Sequence, residues 1–128
     1  MKLLLDTHIW LWALHDPKKI GKRLLRELQN TENELWLSPI STWEALTLHA
    51  KGKVNLGKDL DGWLARATAG TREAPLTHEI ALAARQLTLH PDPADRFLAA
   101  TAQVLDLVLA TADQRLLGLG QIRTMANR

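Results

Sequence analysis

Two short apolar runs, each stopped by a polar residue, decide what this chain can fold into. Lys2-Leu3-Leu4-Leu5 ends at Asp6, and Leu107-Val108-Leu109-Ala110 ends at Thr111. Runs this short and apolar fit strands buried on both faces of a parallel sheet, each carrying its last residue to the sheet's carboxyl end. Leu35-Trp36-Leu37-Ser38-Pro39 reads as another strand, because proline favours an extended predecessor. Ala74-Pro75-Leu76 is a candidate short strand, and Ile122-Arg123-Thr124-Met125 a candidate edge strand.

Helical spacing fills the intervals. Ile9, Trp10, Trp12, Ala13 and Leu14 mark a first helix that ends at His15-Asp16-Pro17, and residues 18–30 read as a second, basic outside and Leu-rich inside. A third starts near Ile40 with the stripe Ile40, Trp43, Leu46 or Leu48, and Ala50, before a stop at Lys51-Gly52. Leu60, Trp63, Leu64 and Ala67 mark a fourth, and Glu79 to Leu89 a fifth. The loop His90-Pro91-Asp92-Pro93 leads into a sixth with Phe97, Leu98, Ala102 and Leu105, and Asp113 opens a last short one. Strands alternating with helices predict an α/β fold, a mostly parallel central sheet with helices on both faces. With 128 residues, 46% of them apolar, the chain fits a single domain over 1–128.

The chain has no cysteine, which excludes disulfides, thiolate zinc sites and cysteine nucleophiles. No apolar run approaches the roughly 20 residues that span a bilayer, so a soluble, cytoplasmic protein is expected. His8, His15, His49, His78 and His90 lack a metal-ligand spacing such as H-E-x-x-H, which disfavours a zinc hydrolase. Formal charge is only +2, yet neutralising a few acids together would leave a distinctly basic remainder suited to a polyanion.

Four acids stand where such neutralisation is plausible in chemical terms: Asp6, Glu44, Asp95 and Asp113. Asp6 and Asp113 follow strands, Asp95 begins a helix that precedes a strand, and Glu44 lies about one turn into a helix that follows one. Ligands of open parallel sheets bind beyond the carboxyl ends of the strands, so the four can converge there. Crowded carboxylates repel unless a cation sits among them, and their hard oxygens suit Mg²⁺ or Mn²⁺. Each has a plainer reading. Asp6, Asp92 and Asp113 can cap helices, and Asp95 can complement a helix dipole. Glu44, in mid-helix between Ile40 and Leu48, has no capping role and needs a partner.

Together, Leu3-Leu4-Leu5-Asp6-Thr7, Ser41-Thr42-Trp43-Glu44, Asp92-Pro93-Ala94-Asp95-Arg96-Phe97-Leu98-Ala99-Ala100-Thr101-Ala102 and Thr111-Ala112-Asp113 resemble the motifs of PIN-domain proteins. Their order and the chain length are similar to the VapC-type toxins of bacterial type II toxin–antitoxin systems. The resemblance covers nearly the whole chain. It implies a PIN-like α/β/α sandwich, a divalent-metal-dependent ribonuclease, a homodimer, and a cognate antitoxin that blocks the site. It places Asp6, Glu44, Asp95 and Asp113 at the family's acidic positions, with Thr7 and Thr111 as hydroxyls beside them. His8 stands where many relatives have a small or amide residue, and Gln114-Arg115-Leu116 carries no further acid where some relatives do. Arg96 can contact a phosphate or pair with a neighbouring acid.

On that resemblance, Asp6, Asp95 and Asp113 would hold Mg²⁺ or Mn²⁺, which lowers the pKa of water and polarises a phosphoryl oxygen, and Glu44 would complete the cage. RNA phosphodiesters would be cleaved by in-line attack of water. Lys18, Lys19, Lys22, Arg23 and Arg26 can line an RNA path, although a solvated helix face explains them more simply. The five tryptophans read as core or interface anchors rather than stacking platforms, since Trp10, Trp43 and Trp63 fall on apolar stripes. Two other classes stay open: a non-catalytic PIN-like interaction module, and a phosphotransfer or phosphatase domain. The second lacks the extra acid at His8 and the paired acids and strand-end lysine its known forms use.

Overall fold

The computed structural model describes residues 1–128. Strands β1 (Lys2–Leu5), β2 (Glu34–Leu37), β3 (Thr71–Glu73), β4 (Val108–Thr111) and β5 (Arg123–Ala126) form one sheet in the order β3-β2-β1-β4-β5. Every neighbouring pair is parallel. Seven helices surround it: α1 (Thr7–His15), α2 (Lys22–Gln29), α3 (Pro39–Ala50), α4 (Leu60–Ala67), α5 (His78–Gln86), α6 (Pro93–Val104) and α7 (Gln114–Leu117). No helix is long and apolar enough to cross a membrane.

The alternation of β1 shows why both faces are covered. Leu3 and Leu5 pack with Ile9, Trp10 and Trp63 on one side, whereas Leu4 packs with Leu98, Leu109 and Leu116 on the other. Leu3, Leu4 and Leu5 are each at most 3% exposed, so a strand of three leucines is satisfied only between two helix layers. The α/β/α sandwich is therefore present. Strand order reverses between β1 and β4, the point at which parallel sheets open a crevice. The residues that follow those two strands are Asp6 and, past Thr111, Asp113.

Four expectations from sequence need correction. The helix expected over 18–30 is broken: a 3₁₀ turn covers Pro17–Lys19, and α2 begins only after Gly21. A Cβ on Gly21 would lie 1.8 Å from the carbonyl carbon of Arg128. The chain end passes that close because Asn127 accepts from the Gly21 N–H (2.7 Å) and Arg128 O accepts from the Leu24 N–H (2.9 Å), satisfying donors at the start of α2. Gly21→Ala should displace this clasp and destabilise the fold by about 1–3 kcal/mol, the value of two hydrogen bonds at a helix end; a urea titration checks it, and an unchanged midpoint contradicts it.

The strand expected over 74–76 lies at Thr71–Glu73 instead. Ala74 N–H still donates to Leu37 O (2.9 Å), but Pro75 has no N–H with which to continue the ladder. The fifth helix stops at Gln86, not Leu89. Trp43 is not a core residue, being 62% exposed, whereas Ser41 and Ala45 on the same helix are fully buried. Trp10 and Trp63 are buried as expected, their rings tilted against each other 5.4 Å apart, with Trp10 Nε1 donating to Ala67 O.

Candidate active site

Asp6 leaves β1 in extended geometry and caps α1, its Oδ1 accepting from the Thr7 N–H at 2.7 Å. Its other oxygen accepts from the Thr111 hydroxyl at 2.6 Å, and Thr111 Oγ1 in turn accepts from the Asp113 N–H at 3.0 Å. This relay ties the ends of β1 and β4 across the switch point. Capping and membership of the cluster coincide in Asp6. The same is true of Asp113, which caps α7 through the Arg115 N–H, and of Asp92, which caps α6 through Ala94 and Asp95.

Glu44 reaches the cluster from α3. Thr7 Oγ1 contacts both Glu44 Oε1 (2.5 Å) and Ser41 Oγ (2.9 Å). A hydroxyl carries one proton, so Thr7 donates to the carboxylate and the Ser41 hydroxyl donates to Thr7. Thr7 and Ser41 are buried to 1% exposure or less. That contact is the partner a mid-helix glutamate requires, and it is why α3 turns small residues inward.

The acids line one cleft of about 460 Å³: Asp6, Glu44, Asp92, Asp95 and Asp113, with His8, Trp12 and Arg115 at its walls. Their mutual proximity is written in their acidities. Burial raises Asp6, Glu44 and Asp95 above the ordinary carboxylate range. Asp95 is pushed up to about 6, first by burial and then by the charges of Asp92, Asp6 and Asp113, with His90 acting in the opposite sense. Asp113 moves down, because Arg115 hydrogen-bonds to it. A carboxyl group raised in the folded state favours folding fully below its ordinary pKa of 3.8 and loses that contribution as pH rises through about 6. For Asp95, discounted for solvent screening, the difference is on the order of 1–2 kcal/mol at neutral pH. In EDTA, the wild type should therefore melt at a higher temperature near pH 5 than near pH 7.5, relative to Asp95→Asn; parallel profiles for the two proteins would contradict the assignment.

Sequence reasoning missed three members of this site. Asp92, read there only as a cap, faces Glu44 and Asp95 closely enough to raise both. Arg115 spans Asp113 (3.1 Å) and Asp95 (3.7 Å) with one nitrogen. His90 brings Nε2 to 3.1 Å from Asp95 Oδ2. The proximity of Arg115 to Asp113 was visible as i+2 spacing, but nothing local pointed to His90. Arg96, in contrast, lies outside the acidic cleft and pairs with no acid. It donates to the carbonyls of Ala84, Leu87, Leu89 and His90, closing the carboxyl end of α5. His8 lies at the cleft with its ring 5.8 Å from that of Trp12, and Lys19 sits over Trp12. Lys22, Arg23 and Arg26 of α2 do not line the cleft.

The donor set fits a hard divalent cation. One positive group, the Arg115 guanidinium, already rests on two of the acids, and the buried His90 Nε2 has no hydrogen-bond partner. Donor atoms of His90, Asp95 and Asp113 lie within 4.8 Å of one another.

A three-layer parallel α/β fold with an acidic cleft at its switch point is the class these features define. The PIN domain model matches residues 3–120, and the chain belongs to the PIN domain family. It is similar to Ribonuclease VapC22 of Mycobacterium tuberculosis, 28% identical over 116 residues that cover 89% of this chain and 88% of the relative. The fold is shared with DNA-bound VapBC from Salmonella typhimurium (TM-score 0.75, 16% identity, 100% of this chain and 99% of the other). It is shared as well with VapBC2 from Rickettsia felis bound to a DNA fragment from their promoter (TM-score 0.74, 16% identity, 98% of each chain).

Proposed function

We propose that this protein is the ribonuclease toxin of a VapC-type toxin–antitoxin pair, acting in the cytoplasm as a homodimer and silenced by a cognate antitoxin. The observation that carries the reading is the meeting of Asp6, Glu44, Asp95 and Asp113, drawn from four separate segments, in one cleft. Family membership and the likeness to Ribonuclease VapC22 support it.

Asp6, Asp95 and Asp113 would hold a Mg²⁺ or Mn²⁺ ion. When bound, such an ion supplies charge stabilisation to the phosphoryl group and acidifies water. Thr111 and the Thr7 N–H fix the Asp6 carboxylate, so it meets its ligand without reorganising. Glu44 has one oxygen held by Thr7; its other oxygen takes the proton of the attacking water, a role suited to a carboxylate whose pKa is raised. His8 and Lys19 flank the path of the RNA strand. No side chain forms a covalent intermediate.

The test is to incubate purified protein with total cellular RNA, with and without Mn²⁺, and map new ends. Cuts that appear only with the ion, and vanish when the antitoxin is added in equal amount, are expected. Absence of metal-dependent cuts across the pool would defeat the nuclease reading.

A further inference from the structure

We propose that His90 is a direct ligand of the divalent ion, giving the centre one nitrogen donor among its carboxylates and a preference for Mn²⁺ over Mg²⁺. The inference rests on the metal-binding part of the function proposed above and concerns which atoms hold the ion.

Three observations meet on His90. Its Nε2 is shielded from solvent and has no hydrogen-bond partner. A shielded polar nitrogen without a hydrogen bond is uncommon, so such atoms ordinarily have a reason for standing where they do. Second, Nε2 lies only 3.1 Å from Asp95 Oδ2 and yet makes no hydrogen bond to it, so the nitrogen's axis passes beside that oxygen rather than at it. Two donors drawn together without aiming at each other have the relation of adjacent ligands around a common centre. In octahedral coordination with bonds of about 2.1 Å, adjacent donors are about 3 Å apart. Third, an Asp113 oxygen completes the set, all three donor atoms lying within 4.8 Å of one another.

The other ring nitrogen leaves this assignment open to the ion. Asp92 N–H approaches Nδ1 only at 3.4 Å, longer than the usual range for such bonds. Ligation through Nε2 needs the proton on Nδ1, and this weak contact is the one given up. Arg115 is the other group that must yield. It reaches Asp95 at 3.7 Å with a side chain 60% exposed to solvent, so it can swing out at little cost.

An imidazole ligand alters ion selection. Mg²⁺ favours oxygen donors and keeps its waters, whereas imidazole suits the first-row transition ions and Mn²⁺ accepts both donor types. A site of carboxylates alone would separate the two ions less.

The experiment needs no RNA. Pulsed electron paramagnetic resonance of the Mn²⁺-loaded wild-type protein should show coupling to one imidazole nitrogen, and His90→Gln should lose it. By calorimetry His90→Gln should bind Mn²⁺ at least about 10–100-fold more weakly, since losing a direct ligand costs no less than losing an outer-shell partner, while Mg²⁺ affinity falls by a clearly smaller factor. Mn²⁺ bound without nitrogen coupling in the wild type would overturn the assignment while leaving the carboxylate site standing. Equal losses for both ions in His90→Gln, with its melting curve unchanged, would likewise overturn it and make His90 a support for Asp95. Failure of the wild type to bind Mn²⁺ at all would remove the metal reading and this inference together.

Discussion

Asp6→Asn should lower metal-dependent RNA cleavage by at least about 10²–10³-fold, the loss typical of removing one preorganised charge-stabilising group, while leaving the fold intact. The structure explains both halves of that expectation. Asp6 is 8% exposed and accepts one hydrogen bond on each oxygen. Asparagine keeps an oxygen for the Thr7 N–H, and its amide can donate to Thr111 Oγ1, which has a second lone pair. The shape and both contacts survive; only the negative charge is lost. Initial cleavage rates in Mn²⁺, beside a thermal melt, check this. A rate within threefold of wild type would remove Asp6 from the chemistry.

The second large effect concerns stability. Without a cation the acidic cleft opposes folding, because burial and mutual repulsion raise Asp6, Glu44 and Asp95. A divalent ion at 100 times its dissociation constant should add about 2.7 kcal/mol, which for a chain of this size is on the order of 10 °C in melting temperature. Asp95→Asn should do the reverse of an ordinary loss-of-function change. At pH 7 in EDTA it should melt above the wild type, by several degrees if about 2 kcal/mol of charge burial is relieved, and Mn²⁺ should then shift it little. A wild-type melting curve indifferent to Mn²⁺, or an Asp95→Asn protein less stable than wild type in EDTA, would contradict this account.

Local chemistry made the strands and acids readable. Leu3-Leu4-Leu5 followed by Asp6, and Leu109-Ala110-Thr111 followed closely by Asp113, state in a few residues both the buried strand and the polar end that faces the crevice. What sequence could not convey depends on distant partners. The break before α2 answers to Asn127 and Arg128, more than 100 residues away. Trp43 falls on a helical stripe with Ile40, yet α3 approaches α1 through the Ser41–Thr7 contact, and that spacing admits only small side chains. Arg96 sits within the acidic motif, but the free carbonyls at the end of α5 are stronger claimants on its guanidinium than any acid is. His90 is five residues from Asp95, a distance at which only the path of the Pro91 and Pro93 loop decides whether the two meet.

The bond from Thr111 to Asp6 joins residues 105 positions apart, and this has a consequence for timing during synthesis. At translation rates of roughly 5–20 residues per second, Asp6 exists for several seconds before Thr111 and Asp113 have been made. β4 can then only add to the open edge of β1, and β5 to β4 after it, so the cleft closes only when Thr111 and Asp113 have been delivered. On the function proposed above, a nascent chain would thus carry most of its acids past the ribosome's own RNA in an unassembled form.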